Sequence, residues 1–284
     1  METSAQLRED FYKTSCPNVE SLVRSAVQKK FQHLRHCLGN SPTLFPRLLR
    51  SGYYAGNSSP EKDHPDDISL AGDGFDTVIK AKAAIDSVPQ CRTQTGGPFY
   101  KVELGRRDGR ISTKASVQRR LPHPEFNLDQ LNSMFASHGL TQADMIALSG
   151  AHTLGFSHCS KFFNRLYNFS TKNKTDPTIN PNYASQLKGM CPKNVDPRIA
   201  INMDPSTPQQ FDNAYFKNLK QGMGLFTSDQ ILFTDPRSRA TVELFASNNA
   251  AFQKAFITAI KKLGQVDVKT GNQGEIRRDC SLVN

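Results

Sequence analysis

Residues 149–155 read Ser-Gly-Ala-His-Thr-Leu-Gly, with His152 at the centre of the stretch. The segment before it opens with Thr141-Gln-Ala-Asp144, a capping-box pattern that predicts the start of an apolar helix carrying His152. Met145, Leu148 and His152 then share one helix face. A neutral imidazole there can bind a metal through one nitrogen if an acceptor fixes the other. A lone histidine on an apolar face is more often a core residue, so His152 alone leaves both readings open.

Oxygen-bearing side chains follow this stretch at two places. Asp229, in Phe-Thr-Ser-Asp-Gln, is a candidate acceptor for the second nitrogen of His152, where a carboxylate makes the imidazole more basic. Further donors of carboxylate, hydroxyl or carbonyl oxygen lie close together at Asp204, Thr207, Gln210 and Asp212. Calcium prefers several such oxygens, and Thr153 could join them and link the metal to His152. The pattern by itself is weak because Asp and Thr are common in turns.

Composition excludes several classes of protein. The chain has 284 residues and a formal net charge of +10, with 37% hydrophobic and 9% aromatic residues, which is typical of a soluble globular protein. No apolar run approaches the length of a membrane span. Basic residues are scattered and no nucleic-acid-binding signature occurs, so an anionic wall or matrix polysaccharide is the expected polyanionic partner.

The cysteines favour an oxidising compartment. There are six, and none forms a Cys-x-x-Cys pair, which argues against zinc. Their even number and wide spacing favour long-range disulfides. Sequons at Asn57, Asn168 and Asn173 agree with secretion. The first residues, Met-Glu-Thr-Ser-Ala-Gln, carry no basic-then-apolar leader, so either the true N-terminus is missing or the chain is not exported.

Helical periodicity dominates the chain, and the predicted fold class is mostly α with a few short β strands. Helices are predicted at Val19–Phe31, Gly74–Ile85, Leu128–His138 (closed by Gly139), 212–220 and 236–263, the last with a break. Short β segments are predicted around Ile199–Asn202 and Gly264–Lys269.

Several motifs occur in order along the chain, and together they resemble one family. They are Phe11-Tyr-Lys-Thr-Ser-Cys16-Pro17, Leu104-Gly-Arg-Arg-Asp108-Gly-Arg110, Ala147-Leu-Ser-Gly-Ala-His152-Thr153, Phe211-Asp212-Asn-Ala-Tyr215 and Arg278-Asp-Cys280. The chain closely resembles the plant secretory (class III) haem peroxidases over residues 6–32 and about 58–284. The resemblance implies a single haem-peroxidase domain over 6–284. It also implies haem b and calcium as cofactors, reduction of hydrogen peroxide and one-electron oxidation of small phenolic donors.

The resemblance also implies roles for individual residues. His152 matches the axial iron ligand and Asp229 its hydrogen-bond partner. Pro122 matches the position that lines the aromatic-donor channel. The implied calcium ligands are Thr153, Asp204, Thr207 and Asp212, with a main-chain carbonyl from Gln210, and the implied disulfides are Cys16–Cys91 and Cys159–Cys191. A secreted monomer in the cell wall, apoplast or vacuole is expected, with no nucleic-acid or membrane partner.

The distal half of the family pattern is not present. The family places a distal Arg and His in Leu-Arg-Leu-Phe-Phe-His-Asp-Cys-Phe-Val-Arg-Gly, and residues 41–52 read Ser-Pro-Thr-Leu-Phe-Pro-Arg-Leu-Leu-Arg-Ser-Gly instead. A reading frame shifted by one base joins the last two bases of each codon to the first base of the next codon. Read in that frame, codons for residues 41–51 can encode the family motif as far as its valine. We therefore interpret residues 33–57 as an out-of-frame reading of the distal segment.

A second departure follows Arg92. The family has a helix with the motif Val-Ser-Cys-Ala-Asp at this place. In this chain only three residues separate Arg92 from Gly96, which predicts a deletion. The family cysteine that would pair with Cys280 is lost with that helix. Because the distal His moves a proton during peroxide cleavage, its loss typically costs a factor of about 10²–10⁴. The alternative is therefore a catalytically impaired haem- and calcium-binding member, or a pseudogene product. We also expect reduced stability.

Overall fold

The computed structural model describes residues 7–14, 17–18, 21–23, 25, 64, 97–117 and 120–278. Residues 21–23 and 25 are helical, inside the predicted helix Val19–Phe31. The other predictions for the first hundred residues lie outside the described residues. They are the helix Gly74–Ile85, the altered segment 33–57, the deletion after Arg92 and the Cys16–Cys91 disulfide.

The chain divides into two compact units, 1–94 with 99–121 and 264–284, and 95–98 with 122–263. The second unit carries the helices α1 to α8, which span Leu128–Ala136, Gln142–Ser149, Phe163–Tyr167, Pro181–Met190, Ala214–Lys220, Thr227–Thr234, Pro236–Ser247 and Asn249–Leu263. Short 3-10 helices span Gly150–Thr153 and Cys159–Lys161. Strands β1 (Phe156–His158) and β2 (Ala200–Asn202) pair antiparallel, with Ser157 opposite Ile201.

Helix starts in the second unit follow from local capping chemistry. The Thr141 hydroxyl accepts from the Asp144 amide, and the Asp144 carboxylate accepts from the Thr141 amide, so the predicted capping box opens α2. Asn127 and Gln130 form the same reciprocal pair at α1. At α7 the Asp235 side chain caps a helix whose first residue is proline.

A hydrophobic core packs α2 against α7 and α8, and α5 against α7. Met145 and Ile146 of α2 are fully buried, and Phe252 of α8 stacks on Phe211 at 5.4 Å between ring centroids. Phe216 meets Phe252 edge-on at 5.0 Å. Such aromatic pairs add about 0.5–1.5 kcal/mol beyond the burial of their surface. The core fixes the end of α2, from which the segment with His152 continues.

A second core cluster surrounds the disulfide between Cys159 and Cys191, the pair that the family resemblance implies. Arg165 of α3 is 1% exposed inside this cluster and binds the Asp176 carboxylate at 2.7 Å. Its guanidinium also donates to the carbonyls of Gly224 and Leu225. A buried charge therefore ties α3 to the chain that enters α6.

The smaller unit is described mainly by its turns and bridges. Arg8 bridges Leu104, and Asp108 bridges Glu275, both antiparallel. The Arg106 guanidinium donates to the Gly264 carbonyl at 2.8 Å from Nη2. Gly105 has φ +106°, and an added Cβ would lie 2.6 Å from the ring of Phe11, so only glycine fits there.

The prediction of a mostly α chain is confirmed, and two local predictions are wrong. The helix with the capping box ends at Ser149, and His152 lies in a tighter 3-10 turn, Gly150–Thr153. Residues Gly264–Lys269 form no strand, because the chain turns there and Asp267 has φ +50°. The break in 236–263 falls at Asn248, and the segment 212–220 becomes helical at Ala214. Of the helices in the described part of the chain, none has the length and hydrophobicity needed to cross a membrane.

Candidate functional site

The 3-10 turn after α2 places His152 against the helix α6. The change from α to 3-10 geometry begins at Gly150, where an added Cβ would lie 2.4 Å from the ring of Phe252 and 2.9 Å from that of Phe216. A glycine is therefore required for this close approach. The turn then directs the His152 ring so that Nδ1 lies 2.7 Å from Asp229 Oδ1.

The Asp229 carboxylate is 1% exposed and accepts three hydrogen bonds. Its Oδ1 accepts from His152 Nδ1 and, at 2.9 Å, from the Tyr215 hydroxyl. Its Oδ2 accepts from the Phe226 amide at 2.9 Å, at the start of α6. The carboxylate therefore has a fixed orientation as well as a fixed position.

Charge and burial act against each other at this pair. Burial would raise the pKa of Asp229, but the adjacent His152 lowers it overall. Burial would lower the pKa of His152, and the Asp229 charge and hydrogen bond raise it overall. The pKa of Tyr215 is raised well above its usual value by burial and then by the Asp229 charge. Asp229 is therefore the charged acceptor, and Tyr215 stays a neutral donor.

This arrangement fixes which nitrogen of His152 is available. In the neutral imidazole, which is the form that binds a metal, Asp229 as acceptor places the proton on Nδ1, so Nε2 carries the lone pair. Nε2 has no hydrogen-bond partner among the described residues, and the side chain is 33% exposed. The ring is also held edge-on by Phe226 at 5.7 Å and by Tyr215 at 6.0 Å. The site therefore presents one oriented nitrogen that can bind a metal.

A cluster of oxygen atoms lies directly beside His152. Thr153 Oγ1 lies 3.2 Å from Asp204 Oδ2, 3.3 Å from the Gln210 carbonyl and 3.4 Å from Asp212 Oδ1. Thr207 Oγ1 lies 3.1 Å from Asp204 Oδ2 and 3.2 Å from Asp212 Oδ1. The structure thus brings together all five residues that the sequence suggested as calcium ligands.

The two threonine hydroxyls of this oxygen cluster have fewer protons than the close oxygen–oxygen contacts that they make. Each threonine hydroxyl has one proton, whereas Thr153 faces three acceptors and Thr207 faces two. Asp204 is fully buried, and no ion pair from a described residue reaches Asp204 or Asp212. Two carboxylates facing shared hydroxyls need positive charge, so a cation between these oxygens fits the donor set.

The hydrogen bonds to the second carboxylate oxygen of Asp204, Oδ1, explain why Oδ2 faces the cluster. Oδ1 accepts from the amides of Ser206 and Thr207 and from Asn218 Nδ2 at 2.8 Å, which turns Oδ2 toward the cluster. In the described part of the chain, no group of three or more His, Cys, Asp or Glu side chains is placed to hold a metal. The candidate cage therefore depends on neutral oxygens beside its two carboxylates, a set that suits calcium better than zinc.

Pro122 lies apart from these contacts. It is exposed, and no described contact joins it to His152. The Pro124 carbonyl accepts from the Ser228 amide at 2.9 Å, so the loop that contains Pro122 is tied to the residue before Asp229.

Sequence reasoning missed two residues that support the site. Tyr215 belongs to the motif Phe211–Tyr215, but nothing in the sequence indicated that its hydroxyl reaches Asp229. Arg165 looked like an ordinary helix cation, whereas the fold buries it against Asp176 and the carbonyls that precede α6.

Comparison with known proteins gives a consistent result. The family model described as Peroxidase matches residues 23–248. Peroxidase 45 and Peroxidase 16 of Arabidopsis thaliana are each 60% identical to the chain, with 99% of the chain and 93% of each relative covered. Peroxidase 51 of the same plant is 54% identical at the same coverage. The alignment with Peroxidase 45 runs over 305 positions, at least 21 more than the 284 residues of the chain, so this chain lacks residues inside the aligned span.

Proposed function

The chain belongs to the plant secretory haem peroxidases, which use haem to reduce hydrogen peroxide and oxidise donor molecules, and we propose that His152 is its axial iron ligand. The observation that carries this proposal is the 2.7 Å contact from His152 Nδ1 to Asp229 Oδ1. It leaves Nε2 as the free lone pair on a partly exposed ring. When bound, haem b supplies the iron at which peroxide is reduced.

The protein side of this role is to hold and polarise the imidazole. Asp229 accepts the Nδ1 proton, which makes Nε2 a stronger electron donor and keeps the ring in one tautomer. The Phe226 amide holds the far oxygen of the carboxylate, so Asp229 cannot rotate away from the ring. Truncating a partner of this kind typically costs 10–100-fold in metal affinity or activity.

We propose that calcium occupies the oxygen cluster beside His152. The side chains of Thr153, Asp204, Thr207 and Asp212 would bind it, together with the Gln210 carbonyl. The support is the convergence of these oxygens within 3.1–3.4 Å of the two hydroxyls, with too few protons to satisfy them. Calcium ligands normally lie 2.3–2.6 Å from the ion, so five oxygens this close can close around it.

We propose that residues 33–57 replace the distal catalytic segment and that a helix is deleted after Arg92. The support is the sequence itself and the shortfall of at least 21 residues against Peroxidase 45. The genomic sequence across codons 30–60 and 90–97 tests this directly. A shifted frame that does not encode Phe-His-Asp-Cys would exclude the out-of-frame interpretation.

Substrates and location extend the same proposal. Small phenols are the proposed donors, with Pro122 lining their approach. The disulfide Cys159–Cys191 and the exposed sequons at Asn168 and Asn173 support an oxidising, secretory location. The net charge of +10 supports binding to anionic wall polysaccharide, and we propose that the chain acts as a monomer.

One reconstitution experiment tests the proposed function. The full chain is refolded with haemin and calcium, and its Soret absorption and guaiacol oxidation are measured with hydrogen peroxide. We expect a Soret band that His152→Ala shifts or abolishes, whereas His138→Ala, a matched change at a partly exposed histidine of the same unit, leaves it unchanged. Turnover shows that the chain is active, and a Soret band without turnover identifies the impaired member. Absence of haem binding in the folded wild-type chain would reject the proposal.

A further inference from the structure

We propose that Tyr215 is a positioning residue that tunes the axial imidazole through Asp229, an inference that rests on the proposed role of His152. The Tyr215 hydroxyl donates to Asp229 Oδ1 at 2.9 Å, and His152 Nδ1 donates to the same atom at 2.7 Å. Two donors therefore share the charge of one carboxylate oxygen.

The Tyr215 hydroxyl is held as a permanent donor to this oxygen. Tyr215 lies in α5 and is 3% exposed, and its ring packs edge-on against Phe216 at 5.0 Å. Beside a buried carboxylate, the phenol keeps its proton and donates it. Rotation of the hydroxyl away from Asp229 would leave a buried donor unsatisfied, which is costly.

The shared oxygen sets how much charge reaches the imidazole. A carboxylate that accepts only from His152 pulls the Nδ1 proton more strongly and gives the ring more anionic character. Such a ring donates more electron density to iron and favours the ferric over the ferrous state. By taking part of the charge on Oδ1, Tyr215 moderates this effect.

The contact of the other Asp229 oxygen, Oδ2, indicates that loss of the Tyr215 hydroxyl changes the charge on the carboxylate and not its position. Oδ2 is held by the Phe226 amide at 2.9 Å, and Asp229 lies in the first turn of α6. Loss of the Tyr215 hydroxyl alone therefore leaves the carboxylate in place. The change at His152 then comes from the redistribution of charge and not from movement of Asp229.

The test uses the full chain reconstituted with haemin and calcium, and it compares wild type with Tyr215→Phe. The reduction potential is measured by spectroelectrochemical titration. We expect the ferric-to-ferrous ratio at a fixed potential to rise about threefold in Tyr215→Phe, a fall of about 28 mV at 59 mV per tenfold change. The iron–imidazole stretching frequency of the ferrous form, measured by resonance Raman, should rise as well.

Tyr183→Phe is the matched control. Tyr183 is also 3% exposed, but its hydroxyl has no hydrogen-bond partner among the described residues. Removing that hydroxyl should change neither the potential nor the stretching frequency. An equal shift in both variants would show a nonspecific effect of losing a buried hydroxyl and would overturn the inference.

A second variant keeps the inference testable if Tyr215→Phe does not fold. Replacing Tyr215 by 3-fluorotyrosine keeps the ring and makes the hydroxyl a stronger donor, so the potential should rise. No shift, or a fall, would overturn the inference. An iron–imidazole band that survives His152→Ala would instead reject the proposed ligand, and the inference with it. A normal band with an unshifted potential rejects only the role of Tyr215.

Discussion

Thr153 follows His152 directly in the chain, and the two side chains are held by different partners. His152 Nδ1 contacts Asp229 at 2.7 Å, and Thr153 Oγ1 contacts Asp204 at 3.2 Å. One 3-10 turn thus joins the proposed iron ligand to the proposed calcium cage. Because the two sites share this turn, a change at the oxygen cluster is expected to reach the imidazole.

The first prediction concerns calcium removal. Chelation should lower the thermal midpoint of the reconstituted protein and alter its Soret band, because two buried carboxylates lose their cation. A ligand present at 100 times its dissociation constant stabilises the folded state by about 2.7 kcal/mol. Calorimetry with and without calcium measures the change in the thermal midpoint.

Thr153→Val should remove most of the effect of calcium on the midpoint, whereas Thr234→Val, a hydroxyl change outside the cluster, should keep it. A midpoint that does not respond to calcium in the wild-type chain would contradict the cage.

The second prediction concerns the close approach at Gly150. Gly150→Ala should lower the free energy of unfolding by about 1–3 kcal/mol, because the new methyl group overlaps the rings of Phe252 and Phe216. Gly189→Ala is the control, since it lies in α4 with nothing within 4 Å of its added Cβ. That variant should be more stable by about 0.5–1 kcal/mol. Denaturant titration measures both, and equal effects would contradict the packing argument.

The third prediction concerns the buried ion pair. Arg165→Met should destabilise the chain by about 3–5 kcal/mol, because Asp176 is then left charged and buried. Arg198→Met breaks an exposed pair with Asp196 and should leave the free energy of unfolding almost unchanged, because solvent screens this pair. If chemical denaturation gives similar values for the two variants, Arg165 does not have the role that its burial indicates.

Local sequence patterns predicted the elements around the site, but they could not supply the contacts between them. The capping box at Thr141 and the left-handed Gly139 depend on neighbouring residues, so the sequence located both. The break in 236–263 was also visible in the sequence. The turn at His152 was not, and it lies where Gly150 closely approaches Phe252, which is distant in sequence.

Some site residues could be recognised from the local sequence, and others only from the fold. The oxygen donors are close in sequence, and only Thr153 had to be brought to them by the fold. Tyr215 and Arg165 gave no local signal, because their roles depend on a carboxylate and on carbonyls in other elements. The false strand at Gly264–Lys269 is a related error, because the local sequence did not indicate the turn with positive φ at Asp267.

The fourth prediction concerns acid stability at Asp144. Burial raises the pKa of this carboxyl, but its hydrogen bonds with Lys262 and Thr141 outweigh that effect and lower it overall. A lowered pKa in the fold adds stability that is present above the unfolded value and is lost as the pH falls through the folded value. Asp144→Asn should therefore be less stable than wild type by about 1–2 kcal/mol near neutral pH, and the gap should close below about pH 4.

The control for this prediction is Asp129→Asn, a change at an exposed carboxylate in the first turn of α1. It should alter stability by less than about 0.5 kcal/mol. Unfolding free energies are compared between about pH 3 and 7. A gap between wild type and Asp144→Asn that stays constant over this range would show that the charge of Asp144 does not contribute.

The most direct test of the central claim is the resonance Raman spectrum of the ferrous haem complex, with histidine nitrogens labelled. If His152 is the axial ligand, an iron–nitrogen stretching band shifts with the label and is lost in His152→Ala. The frequency of this band should be lower in Asp229→Asn, because the neutral amide attracts the Nδ1 proton less strongly. A labelled iron–histidine band that persists unchanged without the His152 side chain would contradict the central claim.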